Sequence, residues 1–407
     1  MCTCRDLGQA EHLTISVRGD AMSETRNLTV LVGNGLSVAF NPELRLQNIT
    51  QTMLERIQAS SDGGEDVVAA MKQVASWALP SGATTDEDFE VLVGAFGAEG
   101  RTLTHLHDLA QLVSPDDEEL SSAFRKVIRF AERVRDLGMS HVLQVIFERS
   151  RAEKSKADSL HSFIRAVAQS FNGRIVFGNL NYDALLLAAL LEVCDHGDIA
   201  DMAWAKVLPK KLVTVTNDDG SEFKVPSLRR YSSDFPTSRR IWLLHPHGSL
   251  TFWADRAKDI HVKLETERLE DAAFWTQLRE EETPLRPDVV LANQSEKSVA
   301  VEEYPFKLAY DMLETSFGLS THWLIVGYSF RDEKLNRRLK ETFGHLEPLP
   351  QVMVVTHGAS PSRSDVEMAL GWESEDGSTS HSWLSVYDKG ANGFETSTSW
   401  ADFSQQP

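Results

Sequence analysis

Short apolar or β-branched runs recur along the chain at Leu28–Gly33, Arg174–Asn179, Ile241–His245, Val289–Ala292, His322–Val326, Val352–Thr356 and Trp383–Tyr387. Most lack strict apolar–polar alternation, as expected of strands covered by helices on both faces. Helical patterns separate them, so the order predicts an α/β fold with a Rossmann-like, doubly wound, mostly parallel sheet. The longest apolar run, Ala184 to Val193, reads as a buried helix.

Residues 45–171 interrupt this alternation with no convincing strand, and predict a large all-helical insertion. Ser114-Pro115 reads as a helix start, an N-cap residue followed by proline and then acids in the first turn. Phe124, Val127, Ile128, Ala131 and Val134 fall on one face, and Gly138 is expected to stop that helix. Similar faces occur at Val67–Leu79, ended by Pro80, and at Leu160–Ala168. Farther on, Val213-Thr214-Val215 and Phe223-Lys224-Val225 flank Asn217-Asp218-Asp219-Gly220, a hairpin turn. Lys210-Lys211, Arg229-Arg230 and Arg239-Arg240 could clamp a phosphate or be solvated loop cations. The organisation that follows is a tail at 1–22 and a discontinuous nucleotide-binding domain at 23–44 and 172–345. Residues 45–171 form the insertion, and 346–407 form a C-terminal extension whose two strands complete the sheet or mediate assembly.

Composition narrows the possibilities. The chain has 407 residues, 42% hydrophobic and 25% charged, as in ordinary globular proteins, so disorder is not expected beyond the tail at 1–22, read as disordered or non-native. Its 41 basic and 60 acidic residues give a net charge of −19, which argues against direct nucleic-acid binding. No run approaches the roughly 20 apolar residues of a membrane span, and 1–22 lacks the pattern of a secretory signal. The 3 cysteines include Cys2 and Cys4 in the tail, too few for a disulfide framework, so a cytoplasmic setting is expected.

Four strand ends carry the chemistry. Val32-Gly33-Asn34-Gly35-Leu36-Ser37 closes a strand with Gly-x-Gly, which lets a ligand approach the backbone and points amides at a pyrophosphate. Val38 stands where a dinucleotide fingerprint has its third glycine, and no clear acidic residue stands at a strand end about 20 residues on, which weakens a dehydrogenase reading. Asn179-Leu180-Asn181-Tyr182-Asp183 collects polar groups at a second strand end. Asn181 can donate and accept, which suits a ribose hydroxyl or an attacking water, while Asp183 could cap the following helix. His245-Pro246-His247-Gly248-Ser249 offers a histidine base, and no third ligand accompanies the pair, so no metal is expected. Gly327-Tyr328-Ser329-Phe330-Arg331-Asp332 closes the last strand of this kind.

Together these motifs resemble the sirtuin-like NAD-binding family, in its bacterial antiphage-defence branch. The correspondence rests on Gly33-Asn34-Gly35-Leu36-Ser37, Leu180-Asn181-Tyr182-Asp183, His247-Gly248-Ser249 and Gly327-Tyr328-Ser329-Phe330-Arg331-Asp332, with Asp88-Phe89-Glu90 as a helix start common in that branch. Leu180 replaces the usual threonine, and Pro246 interrupts the usual approach to the glycine, leaving the role open between His245 and His247.

The resemblance implies an NAD+ glycohydrolase with Asn181 and His247 as the catalytic pair. It implies contacts to NAD from Gly33, Asn34, Gly35, Ser37, Tyr182, Asp183, Gly248, Ser249, Gly327, Tyr328 and Ser329. It also implies a homo-oligomer, and a hexameric DNA-translocating ATPase as a partner. The rivals are an NAD-dependent protein deacylase and a nucleotide-binding sensor without turnover. A zinc module of two Cys-x-x-Cys pairs, characteristic of the deacylases, cannot be built with Cys194 alone beyond the tail.

Overall fold

The computed structural model describes residues 25–60, 63–78, 88–152, 156–291, 297, 299–373 and 379–406. The expected tail, Leu79, Pro80 and Ala292 lie outside them. The described residues open with β1 (Leu28–Val32) and α1 (Asn34–Phe40), then a run of helices. These are α2 (Leu46–Ser60), α3 (Gly64–Ala78), α4 (Phe89–Val113), α5 (Glu118–Ala152) and α6 (Ala157–Ser170). After β2 (Ile175–Asn179), α7 (Leu185–Val193) and β3 (Ile199–Asp201) comes the hairpin β4 (Leu212–Thr216) and β5 (Glu222–Pro226). Next are β6 (Ile241–Leu244), β7 (Gly248–Asp255), β8 (Ile260–Lys263), α8 (Thr266–Glu270), α9 (Ala272–Arg279) and β9 (Arg286–Val289). The last third holds α10 (Phe306–Leu319), β10 (His322–Val326), α11 (Glu333–Phe343), β11 (Gln351–Val355), α12 (Arg363–Leu370), β12 (Leu384–Tyr387) and α13 (Thr398–Gln405).

Seven strands form one parallel sheet in the order β12-β11-β10-β1-β2-β6-β3. Apolar side chains leave both faces. Leu28, Val30, Val32, Ile175, Phe177, Leu324 and Val326 meet residues of α1, α6, α7 and α13 on one side. Leu31, Val176, Ile325, Val352 and Val354 meet α10, α11 and α12 on the other. This is why the strands show continuous apolar runs. β11 and β12 extend the sheet at one edge, so the last 60 residues contribute to it.

A third core explains where the helical region sits. Helices α2 to α5 pack against a small antiparallel sheet, β8-β7-β9, together with α8, α9 and the β4–β5 hairpin. Trp253 of β7 lies 4.9 Å from Phe274, edge to face, with Trp275 alongside. Helix α6 belongs instead to the central sheet.

Several expectations are corrected. Val289–Ala292 is not a strand of the central sheet; the strand is Arg286–Val289, paired antiparallel to β7. Gly138 does not stop α5, which continues to Ala152. A Cβ at Gly138 would meet Val93 Cγ2 at 2.8 Å, so this glycine admits α4 close against α5. Ser114 terminates α4, and the start of α5 is held by Asp117, whose Oδ1 accepts from Leu120 N at 2.9 Å. Ala131 and Val134 are buried as expected, whereas Val127 on the same predicted face is exposed. Helix α7 buries Leu186, Ala189 and Leu190 but leaves Leu191 exposed, so it covers the sheet with one face only. Among the described residues, no helix is long and apolar enough to cross a membrane.

Candidate functional site

Parallel register brings the motif segments to one end of the sheet. Val32 lies opposite both Val326 and Asn179, and Gly178 lies opposite Leu244. The chain therefore leaves β1, β2, β6 and β10 at one level. Strand order reverses between β1 and β10, and such a switch point, outside the carboxyl ends, is where open α/β sheets bind ligands.

At that switch point two backbone turns cross without side chains. Gly33 N donates to Val326 O and Gly35 N to Gly327 O, each at 2.9 Å. A Cβ on Gly33 would sit 2.6 Å from Gly327 O, and one on Gly35 2.6 Å from Gly327 Cα. Gly327 itself has φ +63°. Two amides expected to face a pyrophosphate are thus engaged with the neighbouring strand end. Gly35 is exposed and Asn34 half-buried at the crossing, while Phe330, at φ +55°, turns the chain so that Ser329 is exposed.

Beside the crossing, Asn181 Nδ2 donates to Gly33 O (3.1 Å) and Ser37 Oγ (2.8 Å). Ser37 Oγ donates to Asp183 Oδ2 at 2.6 Å, and Asp183 Oδ1 accepts from Leu185 N in the first turn of α7. The N-cap position itself is Ala184, so Asp183 supports the helix start from one residue before it. Its burial raises the carboxyl pKa against those two hydrogen bonds. The amide donor contacts of Asn181 leave Oδ1 as its acceptor. Asn179 accepts from Asn181 N, yet its own buried Nδ2 has no partner among the described residues. An unpaired buried donor at a strand end fits an oxygen of a bound ribose or phosphate.

His247 lies in a second buried cluster. Its Nε2 is 2.9 Å from Asp332 Oδ2 and 3.0 Å from Tyr310 OH. A carboxylate needs a donor, so Nε2 carries the proton and Nδ1 is the basic nitrogen. Burial lowers the His247 pKa, and the ammonium of Lys297 lowers it further, outweighing Asp332. Burial would raise Asp332, but His247, Lys297 and Leu335 N hold it well below the usual carboxylate range. Gly248, at φ +82°, reverses the chain so that β7 can start immediately. Ser249 Oγ bonds Thr251 Oγ1, and Leu250 N donates to Tyr182 O at 2.8 Å, tying this segment to the Asn181 segment. His245 lies apart. Its ring is edge-on to Phe252, burial drives its pKa down to about 3, and Nδ1 has no partner among the described residues.

Residues 176–377 match the family model of the SIR2-like domain. That stretch of the chain is similar to SIR2-like domains. The match supports the sirtuin-like family and implies NAD binding or use. It contains Asn181, His247, Gly327 and Asp332, whereas the β1 glycines and α4 precede it. No curated protein matches the chain.

Around the matched region the structure adds residues to the site that had no assigned role. Lys297 Nζ stands 3.6 Å from Asp332 Oδ2 and 3.8 Å from Glu90 Oε2. Tyr182 OH is 2.8 Å from both Glu90 Oε1 and Val290 O. Glu90 had a sequence signal in Asp88-Phe89-Glu90, and Asp88 does cap α4 through Glu90 N. Lys297 and Tyr310 had none. Tyr328 donates to Asn336 Oδ1 at 2.8 Å and braces the loop before α11. Among the described residues no group of three or more His, Cys, Asp or Glu is placed to hold a metal. A separate cleft of about 460 Å³, between α7, β3 and residues 264–267, is lined by none of the motif residues.

Proposed function

We propose that the protein is an NAD+ glycohydrolase, releasing nicotinamide and ADP-ribose in linear or cyclic form. The observation that carries this reading is the buried His247–Asp332 pair. Among the described residues it leaves one ring nitrogen without a partner, at the sheet level where Asn181 Oδ1 is likewise without one. The bond between ribose C1′ and the nicotinamide nitrogen breaks with its electron pair leaving on the nitrogen. That nitrogen is cationic in NAD+ and departs neutral, so no acid must protonate it. Asn181 orients the ribose hydroxyl or water. Water adds to C1′ and its proton passes to His247 Nδ1. Positive charge gathers on the ribose as the bond breaks. Glu90, Asp332 and Lys297 carry a net charge of −1 that favours it in a dry site.

The scarcity of thiols favours hydrolysis over deacylation, since Cys194 is the one cysteine after residue 4. We extend the reading to NAD depletion in defence against bacteriophage, on the strength of the four motifs and Asp88-Phe89-Glu90. A time course of NAD+ consumption with product identification tests it, with and without phage infection of expressing cells. Binding of NAD+ without nicotinamide release under both conditions would replace it with the sensor reading. Release that requires an acylated peptide would replace it with the deacylase.

A further inference from the structure

We propose that Glu90 and Lys297 are positioning residues for His247, which makes the first turn of α4 part of the catalytic centre. This rests on the proposed hydrolysis and names how its base is set. The groups form one continuous line: Tyr182 OH, Glu90, Lys297, Asp332, His247 and Tyr310 OH, with successive separations of 2.8, 3.8, 3.6, 2.9 and 3.0 Å. The Lys297 side chain is 10% exposed and those of Asp332 and His247 about 5% or less, while Glu90 retains 27%.

Stability does not explain this arrangement. Removing two carboxylates and one ammonium from water is costly, and apolar residues of similar volume serve a core at least as well. Helix α4 does not need the carboxylate of Glu90 as a cap, because Asp88 already accepts from Glu90 N. Asp332 likewise caps α11 with Oδ1, which accepts from Leu335 N at 3.0 Å. Its other oxygen is shared among His247, Tyr310 and Lys297. Competition for that single oxygen is the device. Lys297 draws charge from Asp332 and so weakens its hold on the imidazole. Glu90, by holding Lys297 from the other side, restores that hold.

Two substitutions should therefore move His247 in opposite directions. Lys297→Met leaves Asp332 Oδ2 to His247 and Tyr310, and raises the proton affinity of the histidine. Glu90→Gln releases Lys297 onto Asp332 and lowers it. Among the described residues, the charged and titratable groups that act on His247 are Asp332, Tyr310, Lys297 and Glu90.

The test is an NMR titration of the full chain with ring-labelled histidine, the His247 signal being assigned by its loss in His247→Gln. We expect the midpoint to rise in Lys297→Met and to fall in Glu90→Gln, each by about one pH unit. Glu90→Asp, which keeps the charge, should return it toward wild type. The acidic limb of kcat/KM for nicotinamide release should follow the same directions, and kcat of Glu90→Gln should drop about tenfold. Midpoints that stay put, or that move the same way in both variants while circular dichroism shows a native fold, overturn the proposal. The titration needs no turnover, so wild-type protein that releases no nicotinamide would sink the hydrolase reading and leave this result to be judged separately.

Discussion

His247 and Asn181 reach the site for different reasons. Asp332 fixes the tautomer of His247 and burial keeps it neutral, which suits it to the base role proposed above. Gly33 O and Ser37 Oγ hold the amide nitrogen of Asn181, which suits it to the orienting role proposed above. Under the proposed reaction, His247→Ala should reduce kcat for nicotinamide release by about 10²- to 10⁴-fold with the fold intact. Asn181→Ala should lose about 10²-fold, in kcat more than in KM, because it orients a reacting group. Wild-type rates in His247→Ala would remove the assignment. The glycines make a structural prediction. Gly327→Ala, at positive φ and against the backbone of Gly35 and Leu36, should cost about 2 kcal/mol or more in urea unfolding. Gly220→Ala, also at positive φ but with nothing within 4 Å, should cost only about 1 kcal/mol.

At the level of elements, the strand ends were legible because each joins an apolar run to a small or polar turn, and both features are local. The antiparallel sheet was not. Gly248 and Ser249 read as a ligand-binding turn, yet β7 begins at Gly248, since the +82° φ reverses the chain without any loop. Three-residue β3 has no run long enough to see. The groups around His247 were hidden for another reason: Lys297 and Tyr310 come from separate segments that only tertiary packing unites, and the signal at Glu90 was that of a helix start alone. Helix boundaries misled where two cap signals lie close together. Asp117→Ala should destabilise the protein by about 1 kcal/mol in thermal or urea melts, whereas Ser114→Ala should cost less than half that. The reverse order would return the helix start to Ser114.

On the scale of the whole molecule, three cores meet around the site, and buried histidines run through all of them. His141 in α5, His322 in β10 and His245 after β6 are held down to about 4, 4 and 3, with burial the leading cause in each. The unfolded chain therefore binds more protons below about pH 6.5, and stability must fall as pH drops from there toward 4. Each histidine can contribute up to about 1.4 kcal/mol per pH unit in that window. Unfolding free energies that match at pH 7.5 and pH 5 would contradict this. The parallel doubly wound class was readable from alternation alone. That the helical region rests on a second sheet was not, because its apolar faces do not say which surface they cover.

The central position of β1 has a consequence for how the chain comes into being. Thr29 in β1 bonds Ser316 of α10 and Ser320 just after it, the latter 291 residues downstream, and β1 lies between β2 and β10. At a ribosomal rate of about 5 to 20 residues per second, that strand waits on the order of 15 to 60 s for its second neighbour. Meanwhile Leu28, Val30, Leu31 and Val32, all fully buried in the finished protein, have no complete surface to cover them. A strand made early is thus among the last to be enclosed, so the nascent chain should depend on chaperones through this segment.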